Sequence, residues 1–166
     1  MNIFNLFLKD PLNSWGKKSK QKLYLDLSDF TLNNLKIGSN KNEIIKFGRP
    51  NNKKAYKKNY FEYYENGLII ETEKDKIIYF AVIIDKDEFS DKFSNADLYI
   101  SNPGSDPIFV ANGMIRSDLI KIINLELKGT DKDEIEIIDY IKKEDHIIEV
   151  ESFANERVKR INIYKS

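Results

Sequence analysis

The chain has 166 residues, 41% of them apolar and 33% charged, with 27 basic residues balanced by 27 acidic ones. That length and balance suit a water-soluble body with one core or two small adjoining ones, and zero net charge provides no global field toward nucleic acid or anionic lipid. There is no cysteine, so a disulfide framework, a thiolate metal site and a cysteine nucleophile are all excluded.

Residues 1–22 read as an N-terminal extension. Ile3, Phe4, Leu6, Phe7 and Leu8 form a short apolar stretch with no basic residue ahead of it and no small-residue cleavage site, and Pro11 follows. It is too short to span a bilayer and lacks the pattern of a secretory leader, so a cytoplasmic protein is expected. With Lys17, Lys18, Lys20 and Lys22 behind it, the stretch pairs an apolar insert with a basic patch, a combination suited to a membrane surface. Docking onto the body, with Trp15 as the anchor, is the simpler reading.

A first unit spans residues 23–84. Leu23, Leu25 and Leu27 alternate with Tyr24 and Asp26, the period of a half-buried strand, and residues 30–35 return beside it. Asn40 with Glu43 three residues on is a capping-box-like helix start, and Gly48-Arg49-Pro50 stops that helix within one or two turns. After a basic loop at residues 53–59, strands are predicted at residues 60–64 and 68–72, joined by a turn containing Asn66-Gly67. Residues 77–84 are apolar on both parities, as in a central strand covered on both faces.

Residues 85–96 are polar and aperiodic and read as a linker. A second unit, residues 97–166, then repeats the plan with corresponding elements about 75–80 positions apart. It has a strand at 98–100, a turn cluster at 102–107, a return strand at 108–111, and a helix capped by Ser117 with Leu119, Ile122 and Ile123 on one stripe. Strands at 134–141, 146–152 and 157–164 are joined by short turns and must pair antiparallel. The expected fold is therefore α+β: two tandem β-β-α-β-β-β units forming one antiparallel sheet with short helices packed on one face.

Leu35, Gly38, the run from Glu43 to Phe47, Gly48 and Pro50 resemble the helix-and-stop signature of small-protein-A and β-lactamase-inhibitor-protein-like modules. Trp15-Gly16, residues 23–27, Leu32-Asn33, Phe47-Gly48, Tyr63-Tyr64 and Gly67-Leu68 extend the resemblance over residues 15–84 to a family of uncharacterised bacterial proteins with that pattern. The helix is one residue shorter than the small-protein-A pattern, and the second unit lacks its Gly-x-Pro stop. The resemblance implies a binding scaffold without catalytic apparatus, whose open sheet face clasps a partner protein.

The residues supply no strong catalytic motif. His146 is the one histidine, placed where a turn enters a strand, and no Gly-x-Ser-x-Gly elbow or phosphate-cradling glycine loop is present. Asp85, Asp87 and Asp91 have the alternate-oxygen look of a calcium loop but lack its sixth-position glycine and terminal glutamate. No catalytic residue, metal or cofactor is expected, and the chain reads as a non-enzyme. Lys53, Lys54, Lys57 and Lys58, beside Tyr56 and Tyr60, would suit a nucleic-acid backbone and its bases, against the neutral overall charge.

The candidate binding face is aromatic. Strand alternation sets Tyr60, Glu62 and Tyr64 on one side, and the corresponding parity of the second unit carries Glu136, Tyr140, Arg160, Asn162 and Tyr164. Tyrosine and arginine bury rigid area while keeping a polar tip wet, which is why they concentrate at the energetic centres of interfaces. The reading carried forward is a protein-binding or inhibitor module, of the immunity type, contacting its partner through Tyr60, Glu62, Tyr64, Tyr140, Arg160 and Tyr164. The alternative is a structural, self-associating module with residues 77–84 at a homodimer interface.

Overall fold

Phe61 and Tyr63 point one way from their strand while Tyr60 and Glu62 point the other. The computed structural model describes residues 14–55 and 59–166. Eight strands form one antiparallel sheet: β4 (Asn52–Ala55), β5 (Asn59–Tyr63), β6 (Leu68–Glu73), β7 (Lys76–Ile83), β10 (Leu127–Lys132), β11 (Glu136–Lys143), β12 (His146–Phe153) and β13 (Val158–Lys165). Their spatial order is β10-β11-β12-β13-β7-β6-β5-β4, so β7 and β13 sit at the centre and each meander runs outward to an edge.

A second sheet lies over the first. It contains β1 (Leu23–Asp26), β2 (Thr31–Leu32), β3 (Leu35–Lys36), β8 (Leu98–Ser101) and β9 (Ile108–Val110) in the order β3-β2-β1-β8-β9. Strands β1 and β8 run parallel, Leu23 opposite Leu98 and Leu25 opposite Ile100. The long connection that a parallel pair requires is the whole intervening meander. One apolar cluster joins the two sheets: Leu23, Leu25 and Ile100 meet Phe61, Ile70, Phe80, Ile148, Ile161 and Ile163, with Ile44, Phe47, Leu119 and Ile123 filling the margins.

The expected α+β arrangement is corrected here. Strands hold 47% of the described residues and helices 11%, and two sheets share the architecture in place of one sheet backed by helices. The physical reason is length. The first helical segment, Lys41–Phe47, is a 3-10 helix of seven residues, and α1 (Arg116–Ile123) has eight. Segments this short cover little of an eight-stranded sheet, and β1, β2, β8 and β9 supply the missing apolar cover.

Local expectations fare differently. Asn40 does cap the first segment, its side chain accepting from the Asn42 N–H, and Gly48 ends it at φ +75°. Ser117 is not the cap of α1: the helix starts two residues earlier than that cap implies, after Ile115, whose extended backbone bridges to Arg157. Two strands, β4 and β10, occupy stretches expected to be loop. Strand β7 is buried on both sides, Phe80 and Val82 facing the shared core and Ala81 and Ile83 also about 1% exposed. That burial is within one chain, so the surface assigned to a homodimer contact at residues 77–84 is largely consumed internally.

Candidate functional site on the open face of the large sheet

The face of the eight-stranded sheet turned away from the core is built by cross-strand register. One row runs Tyr60, Glu71, Tyr79, Tyr164, Ile147, Lys142 across six strands. The next runs Glu62, Ile69, Ala81, Asn162, Glu149, Tyr140, and a third Ile83, Arg160, Glu151, Ile138. Tyr60, Glu62, Tyr140, Arg160 and Tyr164 thus lie on one face, drawn from both halves of the chain, and Tyr64 follows directly after the end of β5.

The middle of this face is a hydrogen-bonded network. Arg160 donates to Glu151 from Nε at 3.1 Å and from its terminal nitrogen at 2.6 Å to each carboxylate oxygen. Asn162 donates its amide to Glu151 and, at 3.2 Å, to Glu149, while its carbonyl accepts from the Tyr79 hydroxyl at 2.7 Å. The Tyr164 hydroxyl donates to the other Glu149 oxygen. Lys159 sits at the side, 2.6 Å from Glu136 and 3.5 Å from Glu151. Every member has its partner, which fixes rotamers before any ligand arrives.

Titration behaviour follows from this wiring. Burial, reinforced by the bond to Glu149, pushes the Tyr164 phenol well above the ordinary tyrosine range, and burial does the same at Tyr79. Burial disfavours the charge on Arg160 and Lys159, but Glu151 at the first and Glu136 and Glu151 at the second outweigh it and hold both above their ordinary values. The phenols stay protonated donors and the cations stay charged through the physiological range.

Two predicted contact residues are already occupied. Glu62 is about 5% exposed, accepting from the Asn52 amide at 2.8 Å and from the Tyr64 hydroxyl at 3.0 Å, with Lys92 at 3.6 Å. The Tyr64 ring is packed edge-on by Phe93 at 5.0 Å and overlain by the Lys92 ammonium at 5.1 Å. The covering residues come from 85–96, which is a packed strap on this side of the sheet. The Ser94 N–H donates to the Tyr64 carbonyl and the Ala96 N–H to the Ile83 carbonyl. Asp85 meets Arg157 and Asp87 meets Lys159, at 3.3 and 3.6 Å.

The open part lies farther along. A shallow groove of about 440 Å³ is lined by Glu71, Glu73, Tyr79, Glu149 and Tyr164. Lys165 at its border is held by Asp145 at 2.8 Å, which leaves the groove acidic. Sequence parity misses Tyr79 because Glu71 pairs with Tyr79 but Thr72 with Ile77, a bulge that places an extra residue in β7; Glu71, Glu149 and Glu151 lie outside the predicted contact set as well. The signal available was Ile77 and Phe80, two core residues three positions apart in one strand.

Other sequence candidates have structural duties. His146 stacks on Phe30 with ring centroids 4.6 Å apart. The Asp87 carboxylate accepts from the Ser90 hydroxyl and from the Ser90 and Phe89 N–H groups, closing a turn. No cluster of three or more potential metal ligands occurs among the described residues. Lys53 lies over the Phe61 ring at 5.8 Å, whereas Lys57, Lys58 and Tyr56, like Ile3 to Leu8, fall outside the described residues. Trp15 stacks on Phe61 at 6.3 Å. Among the described residues no helix is long and apolar enough to cross a membrane.

No family model matches the chain, and no curated protein matches it. Among solved structures, the crystal structure of a cysteine-rich secretory protein from Staphylococcus aureus subsp. aureus Mu50 is similar at a TM-score of 0.48 and 13% identity. The match covers 94% of this chain and 48% of that one, so the chain spans about half the length of that structure.

Proposed function

We infer that the chain is a non-catalytic protein-binding module, of the inhibitor or immunity type, and that its contact surface is the open face of the eight-stranded sheet. The observation that supports this reading is the Arg160–Glu151–Asn162–Glu149–Tyr164 network, which holds a broad polar and aromatic surface in one arrangement. A prearranged surface loses little side-chain freedom on association, and that loss is a main term opposing binding. Tyr60, Tyr79, Tyr140 and Tyr164 are half-buried, each with ring area left to contribute.

The contact set differs from the one read in the sequence. Tyr60, Tyr140, Arg160 and Tyr164 remain in it; Tyr79, Glu71 and Glu149 join; Glu62 and Tyr64 act beneath the strap as supports. Charge decides the kind of partner. Glu73 and Glu149 stand beside the tyrosine pair while Lys165 on the same lining is engaged by Asp145, so the complementary partner surface is basic.

The test is affinity capture from cells that carry the chain, followed by reconstitution with the purified partner. Glu149→Lys and Tyr164→Ala should each weaken the reconstituted complex at least tenfold, as expected of residues at an interface centre. Equal affinity for wild type and both variants would remove this face from the function.

A further inference from the structure

The segment after Trp15 lies against the turn that ends the 3-10 helix. The Arg49 N–H donates to the Gly16 carbonyl at 3.0 Å. Gly48 is at φ +75°, and a Cβ there would stand 2.5 Å from the Gly16 oxygen and 2.9 Å from the Lys18 side chain, so the approach needs glycine. This contact sets Lys17 and Lys18 beside Arg49 around a cavity of about 360 Å³, within the size range of small-ligand pockets.

The walls are formed by buried residues. Phe47, Pro50 and Tyr63 are buried, and the Tyr63 hydroxyl donates to the Gly48 carbonyl at 3.1 Å. Lys18 is anchored by donating to the Lys46 carbonyl at 2.6 Å, at the end of the 3-10 helix. Among the described residues, neither the Lys17 ammonium nor the Arg49 guanidinium has an ion-pair partner, and Glu65 is the one carboxylate on the lining. Three basic residues therefore line the cavity beside one acidic residue, in a chain whose basic and acidic residues otherwise balance.

Like charges brought together without counter-charges repel unless an anion joins them, and a guanidinium's paired donors match a tetrahedral oxyanion better than they match water. We propose that this cavity binds a phosphate-type oxyanion, as inorganic phosphate or as the phosphate end of a small ester, held by Arg49, Lys17 and Lys18. The volume exceeds what phosphate alone requires. Phe47 and Pro50 offer apolar contact to a short organic tail, so an alkyl phosphomonoester is the better fit. The site is remote from the open sheet face in residue content and does not depend on the protein-binding reading.

The test is an NMR titration of the full chain with inorganic phosphate and, separately, n-propyl phosphate at constant ionic strength, with sodium chloride as the reference. Saturable shifts are expected at residues 16–18 and 48–51, with the ester binding more tightly. Arg49→Gln should weaken binding about tenfold, as loss of a paired charge-assisted contact does, whereas Glu65→Gln should strengthen it. Lys121→Gln, on α1, serves as the surface-charge control and should change nothing. Shifts that never saturate, that chloride reproduces at equal ionic strength, or that survive Arg49→Gln unaltered would each overturn the site. Since Arg49 is exposed, its replacement leaves the core intact, and an unchanged thermal midpoint verifies this.

Discussion

Asp139 occupies an inward position of β11, between Ile137 and Ile141, and is fully buried. Its carboxylate accepts from Arg116 Nε at 2.7 Å, from an Arg116 terminal nitrogen at 2.5 Å and from the Thr130 hydroxyl at 2.6 Å. Helix α1 and edge strand β10 are thereby tied to the sheet through one residue. Asp139→Ala would delete all three bonds and leave the Arg116 charge, whose side chain is only 20% exposed, without its counter-ion. Breaking a buried pair from one side costs about 3–5 kcal/mol, and partial exposure of Arg116 places this case near about 3 kcal/mol. In urea, with a slope of roughly 1–3 kcal/mol per molar, the midpoint should fall by about 1–3 M. Replacing both members, Arg116→Met with Asp139→Leu, removes the stranded charge as well as the bonds, so the double variant should recover most of the loss. A loss under about 1 kcal/mol for Asp139→Ala, or a double variant no more stable than the single one, would refute the assignment of this pair as the tie between helix and sheet.

Three further outcomes are expected. His146 has its pKa held below the ordinary 6.5 by burial against Phe30; Asp145, 3.0 Å from Nδ1 but out of line for a hydrogen bond, opposes this without prevailing. A lowered folded value means its contribution is complete above pH 6.5 and is lost as pH falls through that value, so thermal stability should decline below 6.5; an NMR midpoint for His146 at or above 6.5 would contradict this. Asp87 is pushed up by burial, but the Ser90 hydroxyl, Lys159 and the Ser90 and Phe89 N–H groups outweigh that and hold it below its ordinary 3.8. Its contribution is therefore present above pH 3.8 and lost below it, and Asp87→Asn should destabilise the chain at pH 7 while converging with wild type in acid, as thermal melts across that range will show. Gly67 lies at φ +60°, where an added Cβ would sit 2.5 Å from the Ser94 oxygen and 2.9 Å from the Ala96 nitrogen. Gly67→Ala should cost about 2 kcal/mol or more and speed hydrogen exchange at the Ala96 N–H, and unaltered exchange there would show that the strap is not fastened at this point.

Much of the large sheet is legible in the sequence because its strands alternate and its turns carry their own signals. Phe61 and Tyr63 against Tyr60 and Glu62, the Asn66-Gly67 turn, and the short hairpins between β11, β12 and β13 each express a local rule. Strands β4 and β10 do not: Asn52–Ala55 and Leu127–Lys132 are polar, and β10 is exposed throughout. They become strands only because β5 and β11 offer an unpaired edge. The strands of the second sheet are legible locally, but their assembly into a separate sheet is not, for a different reason. Pairing of β1 with β8 joins residues across the whole first meander, and no local pattern records it. The candidate face was partly legible, since parity alone places Tyr60, Tyr140, Arg160 and Tyr164 together. Cover over Glu62 and Tyr64 was not, because residues 85–96 have no periodicity and their packing rests on Phe93, Lys92 and the backbone of Ser94 and Ala96.

The most direct measurement of the binding reading is photo-crosslinking in living cells with benzoylphenylalanine placed singly at Tyr60, Tyr140 and Ile147, and at Lys121 on α1 for comparison. The account predicts that the three sheet positions yield the same adduct with one basic protein and that Lys121 yields none. Adducts that form equally from Lys121, or three sheet positions that yield nothing while Lys121 does, would contradict it.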